Sequence, residues 1–351
     1  MDDFVIFHQK NYFLNVSKNY FLSEAIFPLE SGETLPRLEI TYHTYGKLNA
    51  DKSNVVWICH ALTANSDAAD WWHILVGEKK VFDPENKFII CANIIGSCYG
   101  SSGPLSINPK TKKAFLHSFP KITIRDMVNA HILLRKNLGI EKINILIGGS
   151  MGGYQAMEWV YMEPSIFENA ILVATSAKES AWGIAIHTAQ RMAIESDSTW
   201  KNDSENAGKQ GLKTARAIGM LTYRNYEAFV KTQTDETENY DNLKASSYIL
   251  YQGEKLANRF NAYSYWLLTK AMDAHNLARG RGKMESVLES IHTKILVIGI
   301  SSDVLCPTVE QKFLVQHLAN ANYQEINSFY GHDGFLIEED SLSIAIATFL
   351  K

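Results

Sequence analysis

The chain has 351 residues, 46% hydrophobic and 21% charged, with a net charge of −4. That is ordinary globular composition with apolar material for a large core, and the lack of a basic run or acidic tail argues against a nucleic-acid or polyanion binder. No run reaches the roughly 18 apolar residues of a membrane span, and Met1-Asp2-Asp3-Phe4-Val5-Ile6-Phe7 carries acid where a secretion signal needs base, so a cytoplasmic location is expected.

Residues 38–45 alternate in polarity and predict an edge strand. Residues 54–59 and 87–93 are continuous apolar runs, the pattern of parallel strands buried on both faces. A helix is predicted over 124–138, with Met127, His131, Leu134 and Leu138 along one face. Residues 143–147 form the next strand, 154–162 a helix-like run, and 170–174 another strand. Strands alternating with helices imply an α/β class with a mostly parallel, doubly wound sheet.

The pattern changes near Ser176. Residues 178–291 hold little strand signal, and Trp182, Ile186, Ala189 and Ala193 follow helical spacing. Residues 212–222 and 263–274 also predict helices, with a polar loop at 197–209 between the first two. The division expected is a core of 1–177 and 292–351 interrupted by a helical insertion at 178–291. The sheet resumes at 294–299, followed by a helix at 309–318, a last strand at 323–327 and a closing helix at 342–350. Cys59, Cys91, Cys98 and Cys306 show no metal-ligand spacing. They read as buried free thiols, and no metal is called for.

The most informative stretch is Ile147-Gly148-Gly149-Ser150-Met151-Gly152-Gly153. A serine between close glycines, after a strand and before a helix, is the context of a nucleophile elbow. A serine hydroxyl needs an adjacent base, usually a histidine oriented by a carboxylate. On such folds the chain order is Ser, then Asp or Glu, then His. Asp303 follows the strand at 294–299 and His332 follows the last strand, so all three candidates fall at the carboxyl ends of strands, where open α/β sheets bind ligands. Asp303 also reads as a cap for the helix after Pro307, and His332 as a turn residue beside Gly331 and Gly334. His60 is a rival base, placed here instead in an oxyanion loop, His60-Ala61-Leu62-Thr63. Two main-chain amides would then face the developing oxyanion, those of Leu62 and Met151.

These segments, with Asn93-Ile94-Ile95-Gly96-Ser97-Cys98-Tyr99-Gly100-Ser101-Ser102-Gly103-Pro104, Ile122-Thr123-Ile124-Arg125-Asp126-Met127, Leu221-Thr222-Tyr223-Arg224 and Gly331-His332-Asp333-Gly334, resemble the homoserine O-acetyltransferases of methionine biosynthesis. The match runs from about residue 38 to the C-terminus. It implies an α/β-hydrolase fold with an inserted helical lid and a homodimer joined through lid helices. It implies Ser150, Asp303 and His332 as triad, Leu62 and Met151 as oxyanion donors, Arg216 on the homoserine carboxylate, Tyr223 beside it and Asp333 on the amino group. Acetyl-CoA is then a co-substrate, and no cofactor is bound permanently. The polar loop before Gly211 is shorter than in longer relatives, which bears on the placement of Arg216. Arg216 and Tyr223, seven apart, share a face if they lie on one helix, and a guanidinium suits bidentate capture of a carboxylate. By themselves Arg216 reads as a solvated surface charge and Asp333 as a turn residue. A succinyl-CoA donor, a serine acceptor, and an ester or thioester hydrolase on the same fold stay open.

Overall fold

The computed structural model describes residues 16–238 and 240–351; the first seven residues, read above for a secretion signal, lie outside them. Among the described residues eight strands form one sheet: β1 (Val16–Ser23), β2 (Leu38–Tyr45), β3 (Val55–Cys59), β4 (Phe88–Ala92), β5 (Ile143–Gly149), β6 (Phe167–Val173), β7 (Lys294–Ile300) and β8 (Ala321–Ile326). Their order across the sheet is β1-β2-β4-β3-β5-β6-β7-β8. The β1–β2 and β2–β4 pairs are antiparallel and every other neighbouring pair is parallel. The winding reverses between β3 and β5, and the crevice beyond their carboxyl ends is where such sheets hold ligands.

The continuous apolar runs are explained by burial from both sides. Trp57, Cys59, Leu146 and Leu172 face one core, while their neighbours Val56, Ile58, Ile145, Ile147, Ile171 and Val173 face the other. The helices cover both faces. Among the described residues the α-helices of six or more residues are α1 (Ile124–Asn137), α2 (Met151–Met162), α3 (Ala181–Glu195), α4 (Lys209–Tyr223), α5 (Tyr226–Gln233), α6 (Lys244–Ala257), α7 (Ala262–Asp273), α8 (Met284–Glu289), α9 (Thr308–His317) and α10 (Glu339–Phe349). Met127 of α1 and Met157 of α2 pack on the first face, and Leu342 and Ile346 of α10 on the second. A capping box between Thr123 and Asp126 starts α1 where the pattern predicts it.

One expectation is corrected. Leu38–Tyr45 is not the sheet edge: β1 pairs with it residue for residue, from Val16 opposite Tyr45 to Ser23 opposite Leu38. β1 is largely exposed and polar, so it lacks the apolar signal by which strands are read.

Helices α3 to α8 lie between β6 and β7, inside 178–291. Three of them, α5, α6 and α8, are not predicted by the sequence pattern: the half-exposed faces of α5 and α6 blur the apolar stripe, and α8 is only six residues long. Entry to and exit from this segment are tied together. Leu277 N–H donates to Ala177 O at 2.9 Å, and Glu179 N–H to His275 O at 3.0 Å. The polar loop of 197–208 anchors the next helix, since Asp197 Oδ2 accepts from the amides of Gln210 and Gly211, at 2.8 and 2.9 Å, across the start of α4. None of the helices among the described residues is long and apolar enough to cross a membrane.

Candidate active site

Ser150 stands between β5 and α2 with φ 55° and ψ −126°. That is a strained region for a residue with a Cβ, and the neighbours enforce it. A Cβ on Gly148 would run into the Gly152 carbonyl, and one on Gly152 into the Cys59 carbonyl. Only glycine lets strand, turn and adjacent strand approach this closely. The Ser150 N–H donates to Val173 O at 2.9 Å and its carbonyl accepts from Thr175 Oγ1 at 3.0 Å. The side chain does not cap its own helix, which leaves Oγ for another partner.

That partner is His332. Its Nε2 lies 2.8 Å from Ser150 Oγ, and its Nδ1 lies 2.6 Å from Asp303 Oδ2. Against an ionised carboxylate Nδ1 carries the proton, so Nε2 is the acceptor for the serine O–H. The other carboxylate oxygen, Asp303 Oδ1, accepts from the amides of Leu305 and Cys306 at 2.8 and 2.9 Å. Asp303 thus also organises the turn before α9, whose cap position is Pro307. The two loops are laced together, since Gly331 N–H donates to Ser302 Oγ at 2.9 Å. Gly331 has φ 70°, and a Cβ there would meet the backbone of Tyr223 to Asn225. The turn bearing His332 is therefore packed directly under the end of α4.

Burial opposes a charge on the His332 ring. The negative charge and hydrogen bond of Asp303, then the charges of Asp333 and Glu179, outweigh it and raise the ring above its ordinary range. Ser150 itself is buried, at 8% exposed. His60, the rival base, has no lone pair to offer. Its Nε2 accepts from Ile94 N–H at 3.1 Å, so Nδ1–H donates to Ala61 O at 2.9 Å. Burial pushes the ring down to about 4.

Cys59 at the end of β3 pairs with Gly148 of β5, which puts the loop from His60 directly beside the serine turn. The Met151 N–H belongs to the first turn of α2, where the helix offers no acceptor. Leu62 N–H likewise donates to no backbone group among the described residues. Arg216 and Tyr223 share a face of α4, the guanidinium lying 5.2 Å from the ring centroid. The Tyr223 ring lies 6.1 Å from that of His332. Arg216 Nε is buried with no partner among the described residues, an open donor beside Tyr223. Asp333 is already engaged, accepting from Arg224 Nε at 2.9 Å. The sequence pattern assigns Arg224 no role; only its place in the Leu221–Arg224 block hints at one.

Asp303, Cys306 and His332 bring donor atoms within 4.8 Å of one another, a grouping that cysteine spacing does not suggest. It suits a metal poorly. The imidazole and carboxylate are bonded to each other, and burial, then Asp303, hold the Cys306 thiol protonated. All four cysteines are free; Cys98 is half-buried and the other three are buried.

A family profile for the alpha/beta hydrolase fold matches residues 54–338. The homoserine O-acetyltransferase of Cyclobacterium marinum is 48% identical over 336 residues, 96% of either chain. The crystal structure of homoserine O-acetyltransferase from Bacillus anthracis superposes with a TM-score of 0.90 at 25% identity, covering 96% of this chain and 98% of that one. An acetylester hydrolase from Corynebacterium glutamicum has the same fold, with a TM-score of 0.84 at 21% identity over 95% of this chain and 96% of its own. The fold alone therefore does not separate transfer from hydrolysis.

Proposed function

The chain belongs to the homoserine O-acetyltransferases of the α/β-hydrolase fold, and from that premise we propose that it moves the acetyl group of acetyl-CoA to the γ-hydroxyl of L-homoserine through a seryl acyl-enzyme. His332 takes the proton of Ser150 as Oγ attacks the thioester carbonyl. The amides of Met151 and Leu62 hold the oxyanion. The tetrahedral adduct collapses, CoA leaves as thiol with the proton from His332, and Ser150 is acetylated. Homoserine then binds, its carboxylate on Arg216 beside Tyr223 and its ammonium on Asp333. His332 deprotonates the γ-hydroxyl, which attacks the acyl carbon; the adduct collapses by breaking the Ser150 Oγ–acyl bond, His332 returns the proton to Oγ, and O-acetyl-L-homoserine is freed. Asp303 keeps the proton on Nδ1 and offsets the imidazolium.

One observation carries this: the unbroken chain Ser150 Oγ to His332 Nε2, His332 Nδ1 to Asp303 Oδ2, at 2.8 and 2.6 Å. The acceptor site has separate support in the unpartnered Arg216 Nε; Asp333 Oδ2 is paired with Arg224, which leaves Oδ1 for the ammonium. Transfer rather than hydrolysis requires the alcohol to be held and water kept out, a role that suits the helices over the serine. The same reading makes the chain a cytoplasmic homodimer joined through these helices. The free cysteines fit a reducing compartment, and exposed Leu221 and Leu250 fit a buried partner face.

Thiol release from acetyl-CoA, followed with and without L-homoserine, tests the reaction. Strong dependence on homoserine is expected, with a stoichiometric burst in its absence. Steady release indifferent to homoserine would make the protein a hydrolase. Succinyl-CoA and L-serine in place of the native pair read donor and acceptor choice. Ser150→Ala is expected to remove both burst and turnover.

A further inference from the structure

The two proposed oxyanion donors sit on different chain segments, and something must fix the distance between them. We propose that Gln155 is the positioning residue that clamps the Leu62 and Met151 segments together, an inference that rests on the acyl-transfer reading above. Gln155 lies on α2, wholly buried at 0% exposure. Its Nε2 donates to His60 O at 3.1 Å and to Met151 O at 3.3 Å. Among the described residues it is the side chain bonded to both segments. Its Oε1 accepts from His131 Nε2 at 3.1 Å, so both ends of the amide are held.

The loop from His60 is pinned at three successive points. Gln155 holds the His60 carbonyl, the His60 ring holds the Ala61 carbonyl at 2.9 Å, and Ile94 N–H holds the His60 ring at 3.1 Å. His131 is fixed by stacking on Trp159, with ring centroids 5.6 Å apart and planes 17° apart. Burial pushes the His60 and His131 rings down to about 4, so both stay neutral near pH 7 and the network keeps one hydrogen-bonding pattern. The amide of Gln155 is bonded at both ends, which fixes its orientation, although Nδ1 of His131 is buried with no partner among the described residues. Oxyanion donors act only within hydrogen-bond range of the developing charge, and loss of one costs about 10²–10³ in rate.

The test uses full-length Gln155→Met, which keeps the side-chain volume but removes both donors, and a methyl ketone analogue of acetyl-CoA bearing a trifluoromethyl group. Ser150 Oγ adds to the ketone carbon, its proton passes to His332, and the carbonyl oxygen becomes a hemiketal oxyanion in the proposed hole. The acylation burst is expected to slow about 10²-fold and ketone affinity to fall by a similar factor. Binding of CoA itself and the KM for homoserine should change less than about threefold, since neither ground state carries the charge. A burst within threefold of wild type, or a slowed burst with ketone affinity intact, overturns the proposal. Should Gln155→Met not fold, Gln155→Leu, which also removes both donors, reads the same pair of quantities; wild-type values of both then overturn it. Homoserine-dependent release by the wild-type enzyme judges the reaction separately, so clamp and reaction can fail independently.

Discussion

His332 makes the pH dependence predictable in sign. Its imidazole is raised by Asp303 and then by Asp333 and Glu179, and it must be neutral to accept the serine proton. The acid limb of kcat/KM is therefore expected above the ordinary histidine value of about 6.5. Asp303→Asn removes the main raising charge. It should move that limb to lower pH and cut kcat by about 10³–10⁴, the neutral amide no longer fixing the tautomer; a pH–rate profile reads both. An acid limb unmoved in the variant would mean that His332 is not the titrating base. Asp333→Asn should lower the acid limb less than Asp303→Asn does, Asp333 being the smaller raising charge, and raise the KM for homoserine tenfold or more, worth about 1.4 kcal/mol, while the acylation burst survives. Pre-steady-state and steady-state kinetics separate the two, and loss of the burst would show that Asp333 supports the histidine rather than the acceptor. The contrast with Arg224 is instructive. Its bond to Asp333 spans 109 positions of sequence, and spacing alone cannot announce such a pair.

At the scale of elements, burial decides what can be read. Strands β3, β5 and β7 are enclosed on both faces and announce themselves as apolar runs. β1 and α6 are half-exposed, so their patterns dissolve into surface composition. Loop chemistry is similarly hidden: Asp197 reads as one polar residue among many, yet it accepts from two amides at the start of α4. Asp197→Ala is expected to lower unfolding stability by about 1 kcal/mol, the usual worth of such a cap, and to leave the activity of folded enzyme unchanged. Urea unfolding measures the first. A fall in kcat with stability intact would show instead that the start of α4 tunes the Arg216 end of the pocket.

For the whole molecule, the proposed dimer supplies a prediction at the lid. Leu221 and Leu250 are exposed in the single chain, at 64% and 74%. Leu221→Glu combined with Leu250→Glu should convert a wild-type dimer to monomer in sedimentation velocity. A wild-type chain that is already monomeric at micromolar concentration ends the dimer proposal. How far the sequence alone reached follows from range. Elbow, parallel strands, and the order Ser150, Asp303, His332 rest on local constraints: glycines beside a strained serine, apolar runs, and residues just after strands. Local chemistry writes these into neighbouring positions. The neutrality of His60, the engagement of Asp333 by Arg224, the shielding of Leu38–Tyr45 by β1 and the double grip of Gln155 depend on groups brought together from distant positions. The folded packing alone decided them, because hydrogen bonds and burial act across space, whereas a sequence pattern registers only neighbours along the chain.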